Sequence, residues 1–245
     1  MSVLDNNHNA AVLVLVPTSP NNDATFSVSA GSNLAIVVRV GMFFTPNNSN
    51  PPTGMAVTWN GVSMTLVGDF NDVTANNLSD YFAMFILKNP ATGTKTLSIS
   101  WTTGVGSTDV NLFYDLTSYT NVDQTTPARA GTFTSQVNGG EDPASLVVTS
   151  AVGDMTTTLC MPRGCSIVGT NKTQLSLNTS GSVNFGTDEA SGAATVTHTW
   201  DFNTGSSSSN IGGFSIQQAA GGGPTAAQLI PAFTQNGGGY GVQYV

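Results

Sequence analysis

Short runs in which apolar and polar residues alternate recur along the chain, and they constrain its fold more than any other feature. Residues 95–101 alternate three large apolar residues with Thr and Ser, and residues 195–200 alternate Val196, His198 and Trp200 with threonines. A period of two is the pattern of a half-buried β-strand. Gly, Asn and Pro separate the runs, so the sequence predicts many short strands joined by turns.

Other segments are apolar on both faces. Residues 34–40 and 81–87 contain few polar side chains, which predicts central strands covered on both sides. Charged residues make up 8% of the chain against a usual value of about 25%, and typical helix formers are scarce. We therefore predict an all-β, antiparallel β-sandwich, jelly-roll-like, and 245 residues suffice for one large sandwich or two small ones. Further strands are predicted at residues 10–16, 24–29, 109–118, 131–136, 144–150, 154–160, 173–178 and 212–217.

One hairpin can be predicted in register. Asn60-Gly61 is the preferred dipeptide of a type I′ turn, because both residues tolerate positive φ. A two-residue loop then places three apolar pairs on one face: Trp59 with Val62, Val57 with Met64, and Met55 with Leu66.

Charge and targeting signals limit the possible partners. The net charge is −8 and the six basic residues are scattered, so the sequence argues against nucleic-acid binding and against an anionic membrane surface. The N-terminus has no basic region, and the apolar run at residues 10–16 is too short for a signal peptide or a membrane span. We expect a protein made in a cytoplasm that reaches any outer location as part of an assembly.

The composition changes near residue 218. We predict a sandwich domain over residues 1–218, followed by a Gly-rich C-terminal arm over residues 219–245. The arm contains apolar anchors that solvent would not favour: Leu229, Ile230, Phe233, Tyr240 and Tyr244. Such anchors fit an assembly arm buried in a neighbouring subunit; packing on the arm's own domain and disorder are the alternatives.

Residues that could carry metal or nucleophilic chemistry are few. Cys160 and Cys165 are interpreted as free thiols at a turn, with a short local disulfide as the alternative, because a zinc site needs about four ligands. His198 lies on the inward face of its predicted strand, as expected for a packed histidine, and the sequence lacks the Gly-x-Ser-x-Gly motif of a serine hydrolase. We expect no enzyme activity and no cofactor.

Acidic residues offer two weaker hypotheses. Asp69, Asp72 and Asp80 lie in a predicted loop, where solvated turns are expected and a Ca²⁺ site is the alternative. Asp115 shares one predicted face with Phe113 and Tyr119. This face is either an exposed platform for glycans or a surface buried beneath another layer.

Three segments follow one another in a recognisable series: residues 57–68 (VTWNGVSMTLVG), residues 87–97 (LKNPATGTKTL) and residues 121–127 (NVDQTTP). They resemble, in this order, the hairpin, the Asn-Pro step and the turn of a loose group of phage virion-associated and bacterial surface β-sandwich proteins. The resemblance implies a β-sandwich in a virion or surface setting, without catalysis, and brings no functional residues.

Together with the resemblance, which implies the virion setting, these features predict a non-enzymatic virion structural protein, made in the host cytoplasm without a signal peptide. The first hypothesis is a capsid decoration or head-associated subunit that binds other virion proteins and forms homo-oligomers. The alternative is a tail-fibre or receptor-binding module that recognises host-surface glycans.

Overall fold

A computed structural model describes residues 4–16, 21–45, 52–73, 79–102, 109–137, 143–180, 183–203 and 208–220. These residues form 17 strands. The first nine are β1 (Leu4–Val16), β2 (Asn21–Val28), β3 (Ala35–Thr45), β4 (Thr53–Trp59), β5 (Val62–Ser63), β6 (Thr65–Val73), β7 (Ser79–Lys88), β8 (Gly93–Thr102) and β9 (Asp109–Thr120). The others are β10 (Thr132–Val137), β11 (Ala144–Thr149), β12 (Met155–Arg163), β13 (Ile167–Thr170), β14 (Thr173–Ser180), β15 (Val183–Ser191), β16 (Thr195–Phe202) and β17 (Ser208–Ile216).

The strands form four sheets. Inner sheet 1 has the order β1-β9-β3-β7-β6, and outer sheet 1 has the order β2-β8-β4-β5. Inner sheet 2 has the order β10-β17-β12-β15-β14, and outer sheet 2 has the order β11-β16-β13. Neighbouring strands pair antiparallel, so the predicted all-β, antiparallel sandwich architecture is confirmed, while the jelly-roll-like connectivity stays a prediction. No helix long and apolar enough to cross a membrane occurs in the part of the chain described above.

Three apolar layers hold the four sheets in one stack. The first core lies between outer sheet 1 and inner sheet 1 and includes Trp59 and Phe85. The second joins the two inner sheets through residues such as Phe82 and Phe214. The third lies between inner sheet 2 and outer sheet 2, around Trp200. The chain therefore contains two sandwiches, and their inner sheets pack face to face.

The period-two pattern places side chains as expected. Leu97, Ile99 and Trp101 of β8 are buried, while the intervening Thr and Ser residues are more exposed. The doubly apolar segments become β3 and β7, which lie within inner sheet 1 and contribute to the cores on both of its faces. Gly41 of β3 allows the inner sheets to approach closely, because a Cβ there would lie 2.5 Å from the sulfur of Met161.

The predicted hairpin is confirmed at its turn and wrong at its far end. Asn60 and Gly61 have φ values of 50° and 79°, Trp59 pairs with Val62, and the Met64 amide donates to the Val57 carbonyl at 2.9 Å. Beyond Met64 the chain crosses into inner sheet 1. There Leu66 pairs with Phe85 instead of Met55. Val62 is 54% exposed and Leu66 is 44% exposed, although the predicted face pattern placed both on the apolar side.

Candidate functional site

A fully buried guanidinium lies between the two inner sheets. Arg39 of β3 donates to the Asp115 carboxylate at 2.8 Å and to the Tyr119 hydroxyl at 2.8 Å. It also reaches the other sandwich, donating to the Thr157 hydroxyl at 3.0 Å. The Tyr119 hydroxyl in turn donates to the Glu189 carboxylate at 2.9 Å. We call these five residues the Arg39 cluster; it links β3 and β9 to β12 and β15.

Two further hydroxyls complete the environment of the cluster. Thr117 accepts from Arg39 at 3.1 Å, and Thr187 of the second sandwich donates to Asp115 at 2.6 Å. Burial opposes the charge on Arg39, but the charges of Asp115, Tyr119 and Glu189 and the hydrogen bond to Asp115 raise the pKa of the guanidinium above its ordinary value. The cation is therefore retained in the interior, where it joins the sandwiches electrostatically.

The hypothesis of an exposed face at Phe113, Asp115 and Tyr119 is wrong. All three side chains are fully buried, because inner sheet 2 covers this face of β9. Phe113 stacks on Phe185 of the second sandwich, with ring centroids 5.6 Å apart and an interplanar angle of 8°. The face is an internal interface and offers no platform to a glycan.

A second polar cluster surrounds His198 between inner sheet 2 and outer sheet 2. Its Nδ1 lies 2.8 Å from the Asp188 carboxylate and its Nε2 lies 3.0 Å from the Thr156 hydroxyl. The order carboxylate, imidazole, hydroxyl is that of a catalytic triad. Both the His198 and Asp188 side chains are fully buried, however, and the Thr156 hydroxyl donates to the Ala190 carbonyl. This geometry satisfies buried polar groups and gives no access to a substrate.

The cysteines lie in the same region. Both Cys160 and Cys165 are free and buried, and they belong to the third apolar core. Burial, followed by the nearby charges of Asp188 and Cys165, raises the pKa of the Cys160 thiol well above its ordinary value. A thiol of this kind is a poor nucleophile at neutral pH.

The predicted loop position of Asp69, Asp72 and Asp80 is wrong, because all three residues lie in strands. Asp69 belongs to β6 and accepts a hydrogen bond from the Tyr81 hydroxyl at 2.9 Å. Asp80 belongs to β7 and forms an ion pair with Arg163 of the second sandwich. Asp72 lies opposite Asp80 in the β6–β7 ladder. Among the described residues no group of three or more His, Cys, Asp or Glu side chains could hold a metal ion. The Ca²⁺ hypothesis stays a prediction.

A groove lies where β6 begins, and we take it as the candidate site. Its volume is about 580 Å³, in the range of pockets that enclose a small ligand. Its walls are the start of β6, the end of β7 and the segment 125–130 that connects the two sandwiches. Apolar side chains dominate the lining, with Leu66, Val67, Ile86, Leu87, Pro127 and Ala128 among them.

Two cations at the groove already have acidic neighbours. Arg129 forms an ion pair with Asp154 at 2.8 Å, and its side chain is 36% exposed. The backbone amides of Thr126 and Thr125 lower the pKa of the Asp123 carboxyl, and the charge of Lys88 adds a smaller lowering. The groove is therefore suited to an uncharged, apolar segment. Sequence reasoning missed it, because its walls come from three segments that are distant along the chain.

The three segments on which the predicted resemblance rests each contain a turn. Each contains an asparagine in the left-handed region: Asn60 with φ 50°, Asn89 with φ 48° and Asn121 with φ 60°. In the third segment the Asp123 carboxylate accepts from the Thr125 and Thr126 amides at 2.7 and 3.0 Å. These residues shape the backbone of the three turns.

Comparison with known proteins adds no relative: no family model, curated protein or solved structure matches this chain. The predicted anchors of the arm, Leu229, Ile230, Phe233, Tyr240 and Tyr244, lie outside the described residues, which end at residue 220.

Proposed function

We propose that this chain is a non-enzymatic structural subunit of a phage particle, acting as a capsid decoration or head-associated protein. The observation that carries the structural role is the Arg39 cluster. The buried ion pair of Arg39 with Asp115 lies in inner sheet 1, and hydrogen bonds from this cluster to Thr157, Thr187 and Glu189 tie it to the second sandwich. Such a network favours one relative arrangement of the four sheets, which suits a subunit that must present constant surfaces to its neighbours.

The polar residues of the described interior also support a role without catalysis. His198 has partners at both ring nitrogens, and the ion pair of Asp80 with Arg163 joins the two sandwiches. These bonds hold sheets together. The virion setting itself rests on the three turn segments that resemble phage and bacterial sandwich proteins.

The residues that favoured the glycan-binding alternative are not accessible to a glycan. Phe113, Asp115 and Tyr119 were its candidate platform, and they are buried. We therefore retain the structural role as the proposal and treat glycan recognition as an outcome of the test.

Co-sedimentation tests the proposal. Phage particles assembled without this protein are mixed with increasing amounts of the purified full chain and pelleted through a sucrose cushion. We expect saturable binding that excess unlabelled chain displaces. Failure to bind particles, together with selective binding on a glycan array, would replace the structural role with receptor recognition.

A further inference from the structure

The groove beside β6 requires an apolar occupant more than a charged one. Leu66 remains 44% exposed at its edge, and the nearby Val62 is 54% exposed. Arg129 of the groove wall already pairs with Asp154, so this cation does not require an anionic ligand. Covering these apolar side chains would be favourable by the ordinary hydrophobic effect, at roughly 25 cal/mol per Å².

The described chain ends close to this groove. Gln218 forms an isolated bridge with Val122, and the Ala219 amide donates to the Asn121 carbonyl at 2.8 Å. Asn121 directly follows β9, whose end lies at the same end of inner sheet 1 as the start of β6. The order β9-β3-β7-β6 separates them by three strand spacings, or about 14 Å.

The sequence after residue 220 has the composition that the groove requires. Residues 221–245 contain no charged side chain, and residues 226–233 (AAQLIPAF) are mainly apolar. Five extended residues span about 17 Å, so residues 221–225 alone are long enough to reach the groove. Their Gly-Gly-Gly-Pro sequence permits the change of direction that this path needs.

We propose that residues 226–233 occupy the groove of their own chain, with Leu229, Ile230 and Phe233 covering Leu66 and the apolar wall behind it. A short tether keeps this segment at an effective concentration of order millimolar near the groove. A segment from a second copy would have to match that concentration from solution. This inference does not depend on the virion role, because it concerns the isolated chain.

Photo-cross-linking of the full chain tests the proposal. p-Benzoylphenylalanine is placed at position 233, and in a second variant at position 229, and the products are mapped by mass spectrometry. Mixing ¹⁵N-labelled with unlabelled chains separates the two sources of the segment. We expect products with Leu66, Leu87 or Pro127 in which both peptides carry the same isotope.

A matched pair of substitutions tests the groove side. Leu66→Glu should reduce the yield of cross-links about five-fold, because it removes the apolar contact of a half-exposed leucine. Leu177→Glu changes a leucine of similar exposure, 40%, on β14 at the far edge of inner sheet 2, and should leave the yield unchanged. Urea unfolding of both variants verifies that they fold.

Three results would overturn the proposal. Products that combine labelled and unlabelled peptides would assign the groove to a neighbouring copy. Products on other surfaces from both probe positions would remove the segment from the groove. Equal yields from the Leu66→Glu and Leu177→Glu variants would show that the apolar wall does not hold the segment.

Discussion

Replacing Arg39 with methionine should destabilise the protein far more than an ordinary surface substitution. The Arg39 and Asp115 side chains are both fully buried, and the change leaves the Asp115 carboxylate inside without its cation. Removing one partner of a buried ion pair typically costs 3–5 kcal/mol, against a total stability of about 5–15 kcal/mol. We therefore expect Arg39→Met to lower the free energy of unfolding by about 4 kcal/mol.

Urea denaturation followed by tryptophan fluorescence measures this loss. Trp59 and Trp101 are buried in the first core, and Trp200 is buried in the third, so the signal reports on both sandwiches. Because the Arg39 cluster couples the sandwiches, we expect Arg39→Met to shift the transition of both.

The chain provides a matched control for the effect of burial. Arg129 pairs with Asp154 at the same distance of 2.8 Å, but its side chain is 36% exposed. The buried Asp154 carboxylate also accepts hydrogen bonds from the Ala151 and Gln218 amides and the Ser215 hydroxyl, so it keeps donors when Arg129 is replaced. Arg129→Met should cost about 1 kcal/mol. The double variant Arg39→Met, Asp115→Leu should be more stable than Arg39→Met alone, because it removes the unpaired charge. A loss below about 1 kcal/mol for Arg39→Met, equal to that of Arg129→Met, would refute the role given to the buried pair.

Three further predictions follow from local geometry. Gly61→Ala should lower the free energy of unfolding in urea by about 1 kcal/mol, because residue 61 has a φ of 79°. At Gly169, as at Gly61, an added Cβ would have no other atom within 4 Å, and Gly169→Ala should change stability by less than about 0.5 kcal/mol. Equal losses for the two variants would contradict the turn assignment. Cys160 should resist a thiol reagent at pH 8 in the native protein and react in urea; rapid native labelling would show that the third core is open. Burial, then the charge and hydrogen bond of Asp69, raises the pKa of Tyr81 above the ordinary value of 10.0. The stability that the Tyr81 hydroxyl contributes is therefore complete below pH 10 and decreases as the pH rises further. Between pH 9 and 11 the urea midpoint of Tyr81→Phe should decline less than that of the unsubstituted protein, and parallel declines would refute the assignment.

Much of the strand content could be predicted because the local pattern determines it. The alternation in residues 195–200 gave the correct faces of β16, where Val196, His198 and Trp200 are buried. Asn60-Gly61 gave the correct turn, because positive φ is a property of those two residues alone. The pairing partner of the following strand, β6, was not determined by the local sequence. Nothing within β6 indicates that it pairs with β7 in another sheet.

The faces of the two inner sheets were harder to predict, because polar residues in a strand usually indicate a face exposed to solvent. β15 contains Asn184, Thr187, Asp188 and Glu189, all of them buried, and no strand was predicted there. Thr187 and Glu189 bind side chains of β9 that lie 72 and 70 residues away along the chain. A single sequence cannot distinguish such partners from solvent-facing residues, so the stacking of the two sandwiches was beyond prediction.

Counting copies of this protein in intact particles tests the proposed role most directly. Quantitative mass spectrometry of purified, extensively washed virions gives its ratio to the major capsid protein. A capsid decoration or head-associated subunit predicts a number comparable with that of the capsid protein. A few copies per particle would place the protein in the tail or a fibre, and its absence from washed particles would contradict a structural role in the virion.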